Sequence, residues 1–268
     1  MTTEAEASAS AGPRRTLKLA IAYDGTAYSG WQRQTNGPTI QAAIEEAFVP
    51  LLGAAPTVTG AGRTDTGVHD LGQVASVRVD CVHAVSAIRR ALNVRLPPDI
   101  RVLSVVDVAP EFHARFAAIG KTYRYRIVTA EVVSPFERWF VWHLPGPLRM
   151  EAMRKAAAHC CGTQDFAAFQ AAHSSVTETV RTVTRVDLHL TGDGLIVEVH
   201  GDGFLRHMVR TMVGTLVDVG AGRRDPAAIP RLLRSGDRQQ AGDTAPAAGL
   251  TLVSVDYPAG VDLPHGTR

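Results

Sequence analysis

The chain has 268 residues, which is long enough for one large domain or for two smaller packed halves. Hydrophobic residues make up 45% and charged residues 20%, as in ordinary globular proteins, and no apolar run approaches membrane-spanning length. The formal net charge of +2 does not by itself indicate a nucleic-acid partner, because a local basic patch matters more than the total. Composition therefore excludes a transmembrane segment and leaves enzymes and binding proteins open.

The N-terminal segment 1–15 is predicted to be a disordered tail. It is rich in Ala, Ser, Thr and Glu, and it lacks the basic start and apolar middle of a secretion signal. Cys81, Cys160 and Cys161 fit neither a disulfide framework nor two zinc-binding pairs, which favours a reducing compartment. We therefore expect a cytoplasmic protein.

A metal site can be considered around His159, Cys160, Cys161 and His173. Adjacent cysteines at the end of a predicted helix project in different directions, and the spacing is not that of a zinc motif. We therefore expect no metal ion there.

The first half of the chain is predicted to begin with a strand followed by a helix. Alternating and helical apolar patterns, with a helix break at Pro97-Pro98, define the boundaries. In chain order the predicted elements are a strand at 17–23, a helix at 39–51, a strand at 73–79, a helix at 82–93 and a strand at 101–108.

The second half repeats this mixture. The predicted elements are a strand at 121–128, a helix at 149–161, a hairpin at 180–200 that turns at 191–194, a helix at 204–219, a short helix at 227–233 and a strand at 249–255. In the helix at 204–219 the apolar pairs recur every four residues, and Arg206 and Arg210 share the other side. Two mixed halves with hairpins indicate an α+β fold, divided into 16–112 and 113–268.

A glycine-punctuated polar loop at 60–67 carries the most reactive group. Asp65 stands where a dinucleotide fingerprint needs its third glycine, and the Gly-Lys-Ser/Thr ending of a phosphate-binding loop is missing. What remains is a carboxylate with Arg63 two residues before it and His69 four residues after it. From the loop alone an ordinary turn is favoured over a functional site.

Several separated runs resemble the tRNA pseudouridine synthase A family, and together they cover residues 16–257. They are Tyr23-Asp24-Gly25-Thr26, Gly30-Trp31-Gln32, the run from Gly62 to His69, the run from Phe112 to Phe116, the run from Lys121 to Tyr125, the run from Phe204 to Arg210, and Gly249-Leu250. The chain departs from the family pattern at Asp70, where a small residue is usual, and at Asp202-Gly203, where asparagine is common. These departures concern the detailed contacts around the site and not the type of reaction.

The resemblance implies the pseudouridine synthase fold, in which two ferredoxin-like halves share one long, mainly antiparallel sheet with helices on one side and a cleft across the other. It implies an isomerase that converts uridine to pseudouridine at positions 38, 39 and 40 in the anticodon stem-loop of tRNA. It also implies that the enzyme needs no cofactor and acts as a homodimer.

The resemblance also assigns roles to residues. Asp65 would be the catalytic carboxylate, Arg210 and Arg63 would be cations at the cleft, and Tyr123 would stack on the flipped base and accept a proton, with Leu250 packed nearby. From its alternation alone Tyr123 reads as a core residue. Whether Asp65 attacks the sugar, attacks the base or supports a glycal intermediate stays open.

A base within a stem must leave its stack to reach Asp65, at a cost of about a few kcal/mol that RNA contacts must offset. The candidates for backbone contact are Arg33, Arg115, Lys121, Arg124, Arg126 and Arg206, although a solvated helix face is an alternative for Arg206. Asp24 and Gly25 are expected to form a turn at the rim. His69 and His113 are expected to order loops or pack in the core.

Two other functions compete with this one. A non-catalytic RNA-binding module would show aromatic runs on its central strands, and these are absent from the sequence. A nucleoside glycosidase would use Asp65 together with Asp70 and would release a free ribose end.

Overall fold

The computed structural model describes residues 12–172, 174 and 176–262. Residues 1–11 of the predicted tail, and His173 of the possible metal group, lie outside the described residues. Within the described part, no helix combines the length and the apolar character needed to cross a membrane.

The first half contains every element predicted for it and one additional short strand, β2. Its elements are β1 (Arg14–Tyr23), α1 (Ile40–Leu52), β2 (Val58–Gly60), β3 (His69–Asp80), α2 (Val85–Arg95) and β4 (Ile100–Val108). β1 begins inside the segment predicted as tail, because Arg14 and Arg15 pair with Asp80 and Val79 of β3. Backbone pairing with β3 thus orders two residues that composition alone assigned to a tail.

The boundaries of α1 follow from its sequence. The side chain of Thr39 caps the helix by accepting a hydrogen bond from the backbone nitrogen of Ala42 at 3.3 Å. Ile40, Ile44 and Phe48 are buried on one face of the helix, so they pack it onto the sheet. Gly53 ends the helix with a φ of 77°, a left-handed conformation that glycine adopts without steric cost.

The second half likewise contains all the predicted elements, together with the short strands β6 and β7, which the sequence pattern did not predict. Its elements are β5 (Gly120–Val128), β6 (Trp142–His143), α3 (Met150–Ala158), β7 (Gly162–Asp165), β8 (Val180–Leu190), β9 (Gly194–Gly201), α4 (Met208–Gly220), α5 (Ala228–Ser235) and β10 (Leu250–Asp256).

Helix α4 begins four residues later than predicted, at Met208 rather than at 204. His207, immediately before it, has a φ of 64°, which is incompatible with continuing a right-handed helix. Arg206 therefore lies in the exposed turn before the helix and does not share a helical face with Arg210. The predicted helical pairing of these two arginines is wrong for this reason.

All the strands described join one sheet, which confirms the predicted long, mainly antiparallel sheet. Its order is β4-β1-β3-β10-β5-β9-β8-β7, with β2 beside β3 and β6 beside β5. The last strand, β10, lies at the centre, parallel to β3 and antiparallel to β5. The C-terminal strand therefore joins the two halves.

The helices of both halves cover the same face of this sheet. Tyr23 pairs with Asp70, Asp70 with Leu252, and Leu252 with Tyr123, and directly paired residues point to the same face. Tyr23 belongs to the apolar cluster under α1 and α2, and Tyr123 belongs to the cluster under α3 and α4. Asp70 and Leu252 therefore mark a seam between two helix layers.

Candidate active site

Asp65 lies in the loop between β2 and β3, and backbone contacts hold this loop in place. The backbone nitrogen of Trp31 donates to the Thr64 carbonyl at 3.1 Å, and that of Gly67 donates to the Tyr28 carbonyl at 3.3 Å. The Thr64 hydroxyl lies 2.8 Å from the Tyr23 hydroxyl at the end of β1. The segment after β1 thus fixes the loop on both sides of Asp65.

Two glycines permit this close packing. A Cβ on Gly30, whose φ is 89°, would lie 2.5 Å from the Thr64 carbonyl oxygen. A Cβ on Gly60 would lie 2.6 Å from the ring of Trp31, which is only 2% exposed. The runs around Gly30-Trp31 and Gly60 therefore fit against each other, and a side chain at either glycine would displace the Asp65 loop.

His69 orders the far end of the loop, as expected from the sequence. It is 3% exposed; its Nδ1 accepts from the backbone nitrogen of Gly25 at 3.2 Å, and its Nε2 lies 2.9 Å from the Trp139 carbonyl. A Cβ on Gly25 would lie 2.0 Å from the Val68 carbonyl oxygen, so the turn after β1 also needs glycine. His69 therefore links the turn at Gly25 to the segment around Trp139.

The Asp65 carboxylate faces two basic side chains from the start of α4. Its Oδ2 lies 3.3 Å from Nη1 of Arg210 and 3.6 Å from Nε2 of His207. The Arg210 guanidinium is itself held, because its Nε donates to the Ala245 carbonyl at 2.7 Å. The Asp65 and Arg210 side chains are 23% and 14% exposed, so the pair is recessed but reachable.

His207 is a member of this cluster that the sequence analysis missed. It is the only non-glycine residue with positive φ among the described residues, and such backbone strain concentrates at functional sites. Burial, more than the neighbouring arginines, lowers the pKa of His207, while Asp65 opposes the shift. The run Leu205-Arg206-His207-Met208 reads as continuous helix, so no local signal marked this position.

Asp70 lies beneath the loop and is only 1% exposed. Its Oδ1 accepts from the backbone nitrogen of Gly72 at 2.9 Å, and its Oδ2 accepts from Nε2 of Gln73 at 3.0 Å. Burial without a cationic partner raises the pKa of Asp70 well above its ordinary value. A carboxyl so enclosed cannot contact substrate, so the glycosidase interpretation loses its second carboxylate.

Tyr123 lies on the helix-covered face of β5 and is 8% exposed. Its ring makes an edge-to-face contact with Phe204, with 5.2 Å between centroids. Burial raises the pKa of Tyr123, and the charges of Asp70 and Asp65 add to the shift. Among the described residues the Tyr123 hydroxyl has no hydrogen-bond partner.

Leu250 is buried, but its cross-strand partner is not Tyr123. The register of β10 against β5 places Leu250 opposite Tyr125 and Leu252 opposite Tyr123. Leu250 and Tyr123 belong to the same apolar cluster, but the cross-strand partner of Tyr123 is Leu252.

The site lies on the helix-covered face, at the seam between the two helix layers. Tyr123 packs in the cluster under α4, and Arg210 belongs to α4 itself. At this seam β10 lies between β3 of the first half and β5 of the second.

The predicted RNA-contacting residues divide into two groups. Arg33 pairs with Glu45 at 2.7 Å, Arg124 with Glu198 at 2.8 Å, and Arg126 with Glu137 at 2.9 Å. In the described part of the chain, four others have no carboxylate partner: Arg63, Arg115, Lys121 and Arg206. The structure therefore pairs Asp65 with Arg210, places Tyr123 in the apolar cluster that contains Val68 of the same loop, and leaves the second group without ion-pair partners.

The free cysteines are Cys81, Cys160 and Cys161, of which the first two are buried. No group of three or more His, Cys, Asp or Glu side chains among the described residues could hold a metal ion. His173, which was part of the possible group, is outside those residues.

The fold and the site together define an α+β protein with a recessed carboxylate–arginine pair at the seam between two halves. A family model described as tRNA pseudouridine synthase matches residues 19–117 and 156–258, and the chain belongs to this family. The match includes Asp65, Tyr23 and Arg210, whereas Tyr123 falls in the interval between the matched segments.

Curated relatives agree over nearly the whole chain. The chain is 47% identical to tRNA pseudouridine synthase A of Geotalea daltonii, over 91% of this chain and 100% of that protein. It is 46% identical to the protein of the same name from Geobacter sp. (strain M21), over 91% and 99%. It is 45% identical to that of Myxococcus xanthus, over 94% and 96%.

Proposed function

We propose that this protein isomerises uridine to pseudouridine in the anticodon stem-loop of tRNA, at positions 38, 39 and 40, without a cofactor. The observation that carries the proposal is the Asp65 carboxylate held 3.3 Å from Arg210, next to the apolar cluster that contains Val68 and Tyr123. The family to which the chain belongs supplies the reaction and the substrate class.

The reaction breaks the bond between N1 of uracil and C1′ of ribose, turns the base and forms a bond between C5 and C1′. When the base departs, C1′ becomes electron-poor, and a carboxylate can bond to it or stabilise it. Asp65 is the carboxylate for this step. Arg210 donates a hydrogen bond to the Asp65 carboxylate, and its own orientation is fixed by a second hydrogen bond, to the Ala245 carbonyl.

Tyr123 handles the proton balance. Pseudouridine formation removes one proton from C5 and adds one to N1, so no proton is consumed overall. The phenol can donate its own proton to N1, and the phenolate that results can accept the proton from C5, which restores the neutral hydroxyl; among the described residues this hydroxyl has no hydrogen-bond partner to compete. The raised pKa keeps the phenol neutral before substrate arrives, so its ring can also stack on the flipped base.

The basic residues position the RNA. Arg63, Arg115, Lys121 and Arg206 can contact phosphates directly, because none of them has a carboxylate within ion-pair distance among the described residues. Arg33, Arg124 and Arg126 each already have a carboxylate partner, which offsets part of their attraction for a phosphate. We expect the first group to contribute more binding energy than the second.

We further propose that the enzyme acts in the cytoplasm as a homodimer. When one subunit binds the anticodon stem-loop, the rest of the long tRNA would be bound by the second subunit. Light scattering of the purified protein should give twice the monomer mass of 28.6 kDa. A monomeric mass at micromolar concentrations would contradict the dimer.

The decisive test uses tRNA labelled with tritium at C5 of uridine, because only isomerisation at C5 releases this label to water. The purified protein should release tritium without added metal or nucleotide. Release of free base or an exposed ribose end would indicate a glycosidase instead. Binding of tRNA with no tritium release by the wild-type protein would indicate a binding module.

A further inference from the structure

We propose that Arg115, Lys121 and Arg181 form a phosphate-binding subsite beside the Asp65 loop, which holds a backbone phosphodiester of the substrate RNA. Arg181 was not among the residues singled out by sequence. This inference rests on the proposed function for the identity of the ligand. The positions of the three side chains are independent of that function.

The ends of three strands bring Lys121 and Arg181 together, and Arg115 follows Ala114, which packs in the same apolar cluster as Ala61 of the Asp65 loop. Lys121, the second residue of β5, pairs with Gly201 at the end of β9, and Gly201 pairs with Val183 near the start of β8. Arg181 stands two residues before Val183, so it lies at the same end of the sheet as Lys121. A Cβ on Gly203, just after β9, would lie 3.6 Å from Cδ of Arg181.

Lys121 connects this end of the sheet to the catalytic loop. A Cβ on Gly62 would lie 3.5 Å from Cε of Lys121 and 3.9 Å from Nζ. Gly62 is three residues before Asp65, and its lack of a side chain leaves the approach to the ammonium group open. A phosphate bound by Lys121 would therefore lie next to the loop that carries the catalytic carboxylate.

The cluster carries uncompensated positive charge. None of the three cations has a carboxylate within ion-pair distance among the described residues, and the Arg181 guanidinium donates only to the carbonyls of Glu178 and Val180. One carboxylate, that of Asp202, lies nearby, and it accepts from the backbone nitrogen of Thr182 at 3.0 Å. Three cations thus face a single acidic group.

Electrostatics supports the same grouping. Burial is the largest cause that lowers the pKa of Lys121; Arg115 and Arg181 also lower it, while Asp202 opposes them. A half-buried lysine beside two arginines is costly unless an anion neutralises it. A phosphodiester supplies that anion, and guanidinium groups bind its oxygens in a fixed geometry.

The test replaces Arg181 with Ala and measures tRNA binding across a salt series together with steady-state tritium release. We expect binding to weaken by about tenfold or more, and the slope of log affinity against log salt to decrease by about one. KM should rise while kcat at saturating tRNA stays near the wild-type value, because the contact lies outside the reacting atoms.

Two further variants control for folding and for general loss of charge. Lys121→Met preserves much of the side-chain volume and should reproduce the change in slope, with thermal unfolding checking the fold. Arg95→Ala removes an exposed arginine from α2, which packs on the edge strand β4, and should leave slope and KM unchanged. Unchanged slope and KM in Arg181→Ala would overturn the subsite.

The same experiment separates this inference from the proposed function. If the wild-type protein releases tritium from tRNA and Arg181→Ala behaves identically, only the subsite is wrong. If the wild-type protein releases no tritium, the proposed function is wrong. A reduced salt slope in Arg181→Ala would then still support an RNA phosphate site on a binding protein.

Discussion

Asp65 and Asp70 lie five residues apart in the sequence but differ in exposure and in the charge of their neighbours. Asp65 is partly exposed and faces Arg210 at 3.3 Å, whereas Asp70 is 1% exposed and is hydrogen-bonded to neutral groups only. A cationic partner favours a charged carboxylate, and burial without one favours the neutral acid. The comparison teaches that two carboxylates five residues apart can differ completely in accessibility and in partners, and only Asp65 is placed where a substrate could reach it.

The largest effect should follow from Asp65→Ala. Without the carboxylate nothing in the recess can bond to or stabilise C1′, so tritium release should fall below detection. Binding of tRNA should weaken only modestly, because the phosphate contacts remain. Tritium release and a binding titration on the same tRNA preparation check both parts, and an active variant would remove the assignment of Asp65.

Tyr123→Phe comes next and probes the buried hydroxyl proposed to transfer the proton. The ring and its contact with Phe204 are kept and only the hydroxyl is lost, so turnover should fall by about 10²- to 10⁴-fold while binding is retained. Tyr123→Leu is the matched variant, and it should also weaken binding because the stacking face is gone. Full turnover by Tyr123→Phe would exclude the proton-transfer role.

Arg210→Ala removes the charge that distinguishes the surroundings of Asp65 from those of Asp70. Loss of an aligned charged donor typically costs about 10²- to 10³-fold in rate, and we expect a fall of that size in kcat. Arg210→Lys should recover part of the rate, since one ammonium cannot serve both Asp65 and the Ala245 carbonyl. Equal kcat in the wild-type and Ala proteins would contradict the pairing.

Asp70→Asn should have the smallest effect on turnover and a measurable effect on stability against pH. The folded-state pKa of Asp70 is raised above its ordinary value of 3.8, so its stabilising contribution is complete below that pH and is lost as pH rises. Asn does not titrate. The stability of the variant relative to wild type should therefore increase with pH, by up to about 1.4 kcal/mol per unit within the titration window.

Chemical denaturation at several pH values between about 4 and 7 measures this difference. Asp99→Asn is a useful control, because Asp99 is a less buried carboxylate that accepts from the Tyr28 hydroxyl at 2.7 Å. Parallel pH dependence for wild type and Asp70→Asn would show that Asp70 is already ionised in the folded protein.

The local periodic elements could be predicted from the sequence, because their signals are themselves local. The apolar face of α1 and its Thr39 cap, and the alternation in β5, were sufficient to locate both elements. The central position of β10 could not be predicted, since a strand pattern does not specify its neighbours. The α+β class was therefore predictable from pattern, and the way the halves join was not.

The candidate site could be predicted only in part, because some of its features depend on tertiary structure that a local sequence pattern does not specify. Asp65, Tyr123 and Arg210 were identified through the family resemblance, whereas His207 was hidden inside an apparent helical pattern that its backbone conformation interrupts. Leu252 rather than Leu250 faces Tyr123, because strand register depends on tertiary pairing. The carboxylate partners of Arg33, Arg124 and Arg126 are likewise distant in sequence.

The central claim is that Asp65 performs the chemistry and Asp70 does not. The most direct measurement is single-turnover tritium release from C5-labelled tRNA by Asp65→Asn and Asp70→Asn, with each enzyme in excess over RNA so that binding is saturated. We predict no release from Asp65→Asn and sustained release from Asp70→Asn. Release by Asp65→Asn at the wild-type rate, or equal loss in both variants, would contradict the account.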